Sequence, residues 1–282
     1  MKKFTAILLA ITTALSFGLF TSACKSKDDS DKDNKKSERK KDEDDPDETE
    51  KIDESTENSP TETMDPSKKP SQGSQDAYET ALVYIDMMGF SRQGLIDQLT
   101  SEWGDGFSLE EATIAVDALE NNGAVDWNEQ AVKAAIDYAE KMNYSEATIL
   151  EELESDYSGK FTHEQAAYAI EHINENNLVD WDEIAFEYAE TSIISMAYSK
   201  NGLITQLEDS YGGNFTHEQA VAAVDRLEQE TDIDWNEQAL LAAESYLKYL
   251  DMDEDELLDQ LTSDFGDQFT KEQAEYAISK LH

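Results

Sequence analysis

Phe107, Phe161, Phe215 and Phe269 follow one another at intervals of 54 residues. Leu99, Leu153, Leu207 and Leu261 keep the same interval, as do Trp127, Trp181 and Trp235. A fixed period of this length means one supersecondary unit copied in tandem, each copy relying on its neighbours to finish burying its apolar surface. One register of the repeat spells FSLEEA, FTHEQA, FTHEQA and FTKEQA, beginning at those four phenylalanines. The two identical copies hold His163 and His217, but the same position is Leu109 in the first unit and Lys271 in the fourth. A position that accepts His, Leu and Lys within one chain is not a catalytic position, so the hexapeptide reads as structural.

The period divides the chain into repeats at 74–125, 126–179, 180–233 and 234–282. Each repeat breaks into three helical segments. The first opens on an Asp cap with Glu three residues later, as in Asp126-Trp-Asn-Glu129, Asp180-Trp-Asp-Glu183 and Asp234-Trp-Asn-Glu237. Acid there accepts orphan amide hydrogens and suits the helix dipole. Ala131, Ala135, Ala139 and Met142 then share one face at a spacing near 3.6. The second segment opens at Ser91, Ser145, Ser199 or Asp253, and its apolar set in the second repeat is Ile149, Leu150, Leu153 and Tyr157. The third opens at Ser108, Thr162, Thr216 or Thr270, each followed three residues later by Glu or Gln in a capping box. The second and third segments are joined by the short turns GDGF, SGKF, GGNF and GDQF, where glycine would allow a left-handed cap. Two helices on so short a link make a helix-turn-helix. Trp127, Trp181 and Trp235 stand at the first helical position of repeats that have a folded neighbour before them; the first repeat has Gly73 there. That pattern suits a structural junction residue rather than an exposed anchor.

The segment before the repeats has a different character. Lys2 and Lys3 precede an uncharged, mostly apolar run from Phe4 to Phe20, which ends in LFTSAC. Residues 1–23 therefore read as a signal peptide, and Cys24 stands just after the expected cut. This resembles a bacterial lipoprotein signal, with lipidation of Cys24 as its implication; an ordinary secretory signal or an uncleaved anchor is the competing reading. Thr21 departs from the pattern, which usually has Leu there. Residues 24–73 read as a disordered linker: all four prolines lie in it, and Ile52 is the one aliphatic residue in more than thirty around it. Such a stretch cannot offset its ordering entropy by burial.

Charge excludes whole classes of function. The chain has 22 basic and 64 acidic side chains, and residues 74–282 hold 9 of the first and 47 of the second. The repeats thus carry a net charge of −38, the wrong sign for neutralising phosphates, so the helix-turn-helix does not imply nucleic-acid binding. Catalysis finds no support: HEQAA and HEQAV lack the second histidine of a zinc-protease helix. The alternating acids Asp251, Asp253 and Asp255 depart from a calcium loop at its sixth and twelfth positions, which are Glu256 and Thr262. The expectation is a non-enzymatic protein without metal or cofactor.

Three stretches of the third repeat, Ser199-Lys-Asn-Gly-Leu-Ile-Thr-Gln-Leu207, Tyr211-Gly-Gly-Asn-Phe215 and Thr216-His-Glu-Gln-Ala220, resemble the Ltp-type repeat. That is the helix-turn-helix region of host cell surface-exposed lipoproteins of Gram-positive bacteria and their prophages. The first repeat matches as Ser91-Arg-Gln-Gly-Leu-Ile-Asp-Gln-Leu99; the fourth loses the glycine, and the second replaces Gly-Leu-Ile by Thr148-Ile-Leu. The resemblance implies a lipid-anchored surface protein that excludes superinfecting phage by binding a protein of the injecting particle, with a tail component as the partner. A general envelope-interaction or adhesion lipoprotein is the alternative. The expected fold is all-α: four three-helix repeats of period 54 after a disordered linker, held to the membrane through lipid on Cys24, with no nucleic-acid partner.

Overall fold

The computed structural model describes residues 71–281. Among the described residues there are twelve helices and no strand. The first repeat contains α1 (Gln72–Met87), α2 (Arg92–Thr100) and α3 (Leu109–Asn121), and the second α4 (Trp127–Met142), α5 (Glu146–Glu154) and α6 (His163–Asn176). The third contains α7 (Trp181–Ser195), α8 (Lys200–Glu208) and α9 (His217–Glu230), and the fourth α10 (Trp235–Tyr249), α11 (Glu254–Thr262) and α12 (Lys271–Lys280). The expected all-α array of four three-helix repeats is the architecture observed. The signal segment, Cys24 and the linker up to residue 70 lie outside the described residues.

The linker boundary needs correction. Helix α1 begins at Gln72, inside the stretch read as linker, because the Ser71 hydroxyl caps it by accepting from the Ser74 amide. Gly73 lies inside that first turn, close beside the end of the Glu111 side chain.

In every repeat the first helix packs along the third, and the second packs against both. The small residues make this close approach possible. Ala81, Ala135, Ala189 and Ala243 on the first helices and Ala112, Ala166, Ala220 and Ala274 on the third are all fully buried. The second helices supply the bulk, with Leu95 and Leu99, Ile149 and Leu153, Leu203 and Leu207, and Leu257 and Leu261 buried between them. Burying a Leu or Ile side chain contributes about 1.5–3 kcal/mol, so two such residues anchor each nine-residue helix, too short to be stable alone.

The turns between second and third helices share one geometry. The amides of Phe107, Phe161, Phe215 and Phe269 donate to the carbonyls of Leu99, Leu153, Leu207 and Leu261. The left-handed residue is the one before each phenylalanine: Gly106, Lys160, Asn214 and Gln268. Glycine was expected in that role, but only the first turn has it there. The other turn glycines serve close approach instead. A Cβ on Gly212 would sit 2.2 Å from the Gln206 carbonyl, and one on Gly266 2.3 Å from that of Gln260.

Adjacent repeats touch at defined junctions. Between the first and second, Gly89 passes so near α4 that a Cβ would lie 2.4 Å from the Ala134 amide nitrogen. Gln130 then satisfies loose backbone groups at the end of α1, accepting from the Phe90 amide and donating to the Ile85 carbonyl. Lys133 donates to the carbonyls of Ile85 and Asp86. The second and third repeats share one continuous hydrophobic core. Between the third and fourth, the Ser199 hydroxyl donates to the Asp267 carbonyl, and Thr205 bonds the Gln268 amide.

Candidate functional site

The cap residues occupy the starts of the third helices. Ser108, Thr162, Thr216 and Thr270 each accept from the amide three residues on, and Glu111, Gln165, Gln219 and Gln273 return the bond to the cap amide. His163 and His217 project into solvent from the next position, each with Nδ1 against a glutamate of the preceding helix, Glu154 or Glu208. The hydrogen bond that the His163 ring donates to the Glu154 carboxylate raises the His163 pKa.

The junction tryptophans are half-buried at the first position of α4, α7 and α10. Each indole N–H reaches back seven residues to the last turn of the previous repeat: Trp127 to Glu120 (2.7 Å), Trp181 to Asn174 (2.8 Å) and Trp235 to Glu228 (2.9 Å). Trp127 packs on the core of the first repeat, and Trp181 and Trp235 pack on the core shared by the second and third.

Tyr157 was placed with the apolar set of its helix, and the structure overturns this. Helix α5 ends at Glu154, so the helical spacing no longer applies three residues later, and Tyr157 is 100% exposed. The ring that fills the position is Phe161, buried beneath the turn.

Asp253 caps α11 in a reciprocal box with Glu256 rather than joining Asp251 and Asp255 in a shared site. Among the described residues, no three His, Cys, Asp or Glu side chains gather as a metal site, and no helix is long and apolar enough to cross a membrane.

The turns of the first and fourth repeats contain matching polar clusters. Tyr84 donates to Asp105 at 2.7 Å, and Tyr246 donates to Asp267 at 2.9 Å. Burial, reinforced by the Asp267 charge, pushes the Tyr246 hydroxyl up to about 12. Burial also raises the Asp267 carboxyl above the usual carboxylate range, while the Tyr246 bond pulls the other way. The second Asp267 oxygen is buried without a partner.

What distinguishes the surface is the disposition of charge. The repeats hold nine Lys and Arg residues, and every one is engaged within the molecule. Arg92 pairs with Asp117 and Glu120, and Lys200 pairs with Asp225 and Glu228. Arg226 pairs with Glu183 and Glu230 and stacks over Phe186 at 3.8 Å. Lys141, Lys160 and Lys271 pair with Asp137, Asp97 and Glu275. Lys133 binds backbone carbonyls, while Lys248 and Lys280 lie over Tyr249 and Tyr276. The carboxylates outnumber these cations fivefold, so most acidic side chains face water with no basic neighbour. The surplus is legible in the composition, but this consumption of the cations is not, because partners such as Lys160 and Asp97 stand 63 residues apart.

A family model described as host cell surface-exposed lipoprotein matches the chain four times, at residues 74–119, 126–173, 180–227 and 234–281. The chain belongs to that family. The four matches coincide with the four helical repeats, so the family's unit and the structural unit are the same. Members of this surface lipoprotein family are described as exposed on the host cell, which puts the repeats outside the cytoplasm. It is not a known family of enzymes. The chain is also similar to the solved structure of Ltp, a superinfection exclusion protein from the Streptococcus thermophilus temperate phage TP-J34. The two are 30% identical over 36% of this chain and 97% of that one, with a TM-score of 0.32. No curated protein matches the chain.

Proposed function

We propose that this surface lipoprotein, anchored by lipid on Cys24, excludes superinfecting phage by binding a cationic segment of a tail component during DNA injection. The observation that carries the reading is the surface charge: −38 over the repeats, with all nine cations already committed to internal partners. A basic polypeptide segment is the complement of such a surface, and electrostatic steering would speed its capture. Membership of the surface lipoprotein family supplies the location, and superinfection exclusion is the activity that the phage protein Ltp is named for. Tethering supplies a high local concentration, so modest affinity at each repeat is enough.

The test is expression of the full chain in a phage-sensitive host, with adsorption and DNA entry measured separately. The expected result is normal adsorption and blocked entry for at least one phage, with protection lost in Cys24→Ser. Full DNA entry across a broad phage panel would contradict the reading and favour a general envelope-interaction role.

A further inference from the structure

Trp103, Tyr157, Tyr211 and Phe265 occupy one register of the 54-residue period, at the tip of the turn between the second and third helix of each repeat. Their relative exposures are 92%, 100%, 100% and 104%. At no other register does every repeat expose a large apolar side chain. The rings are not what anchors the turn: the phenylalanine four residues on does so, buried in the last three repeats and half-buried as Phe107 in the first. The backbone beneath them is nevertheless held alike in all four copies. Each aromatic amide donates to the side chain two residues earlier, namely Ser101, Ser155, Asp209 and Ser263. The rings therefore project from a fixed base.

The side chains at this register narrow the ligand chemistry. They are Trp, Tyr, Tyr and Phe, so the indole N–H and the phenol hydroxyl are dispensable and the aromatic face is what every repeat retains. Each ring also has a carboxylate one or two residues before it: Glu102, Asp156, Asp209 and Asp264. A π face beside an anionic group is a receptor for a cationic side chain, Arg above all, which stacks on the ring while its charge meets the carboxylate. A bilayer fits less well. Aromatic residues do favour membrane interfaces, but an anionic leaflet repels these carboxylates and the −38 body that bears them. A second copy of the chain would bring the same charge against itself.

We infer that the four turn-tip aromatics, each with its neighbouring carboxylate, are the contact points at which the repeats grip Arg- and Lys-bearing segments of a polypeptide partner. The inference rests on the cationic-partner reading above and assigns it to particular residues. Four weak, equivalent grips on one chain would add through avidity, provided the partner presents its cations at several places.

The test uses the full chain in detergent micelles with nona-arginine as the probe, alongside the fourfold variant Trp103→Ala, Tyr157→Ala, Tyr211→Ala and Phe265→Ala. Because the rings are solvated, the variant should keep the wild-type melting temperature. Its affinity for the peptide should fall about tenfold or more, from the loss of four exposed cation–π contacts. A second variant with Leu at all four positions keeps apolar bulk without the π face and should fall alike. Equal binding by wild type and both variants would overturn the inference while leaving the cationic-partner reading in place. No binding by the wild type would overturn both. The same variants are tested on phosphatidylcholine vesicles and on chito-oligosaccharides. Ring-dependent binding there, without ring dependence for the peptide, would overturn the cationic assignment in favour of a lipid or a glycan.

Discussion

At the scale of single residues, the shared letters of the repeat divide into those that cap and those that cover. Trp181 covers: its indole packs on the core common to the second and third repeats and bonds Asn174. Trp181→Ala should lower stability by about 2–3 kcal/mol, below the full cost of a buried Trp because the ring is only half-buried. Urea denaturation checks this, and an unchanged midpoint would remove the covering role. Asp267 offers a prediction with a sign in pH. Its folded pKa is raised by burial, so the native state holds the proton more tightly than the unfolded chain. Stability from this group is therefore greatest in acid and is lost as pH rises from the unfolded value through the raised folded one. Asp267→Asn keeps an acceptor for Tyr246 and removes the buried charge. It should stabilise the protein by about 1 kcal/mol at neutral pH, a gain that shrinks in acid where the wild-type carboxyl is protonated. Thermal melts of both proteins across that range measure the difference.

At the scale of elements, the same repeat position behaves differently at different junctions. Gln130 satisfies two backbone groups at the end of α1. Its counterpart Gln238, 108 residues on, has a buried side-chain oxygen with no partner and lines a recess with Ile193, Leu227 and Ile233. Gln130→Leu should therefore destabilise by about 1–3 kcal/mol, because it orphans the Phe90 amide, while Lys133 still serves the Ile85 carbonyl, whereas Gln238→Leu should be neutral or stabilising. Denaturant midpoints decide it, and a loss of equal size at both sites would contradict the account of the junctions. This contrast was not legible in the sequence, where both residues are glutamine in the same register. The helices themselves were legible, because Ser, Thr and Asp caps and the 3.6 spacing of Ala and Leu are local signals. The turns were read less well for two physical reasons. Extending the helical spacing past Glu154 put Tyr157 in the core, although the helix had ended. Glycine was given the left-handed position, but Lys160, Asn214 and Gln268 adopt it, and glycine is needed where the turn crowds a helix carbonyl. The aromatic register at residues 103, 157, 211 and 265 was visible as a repeat, but only coordinates show that its rings face water.

At the scale of the whole molecule, the repeats act as one scaffold whose internal chemistry consumes every cation and leaves the carboxylates outside. Family membership puts that anionic surface on the host cell. The central claim is that this surface captures a cationic protein segment, and the claim has a direct physical signature in salt. Interactions between exposed charges are screened as the Debye length falls from about 10 Å at 0.1 M toward 3 Å at 1 M. The most direct measurement is the affinity of the full chain, reconstituted in lipid vesicles, for purified phage tails over a series of NaCl concentrations. The account predicts saturable binding that weakens about tenfold or more between roughly 0.05 and 0.5 M salt. Binding that is absent at low salt, or that stays unchanged across the series, would contradict it.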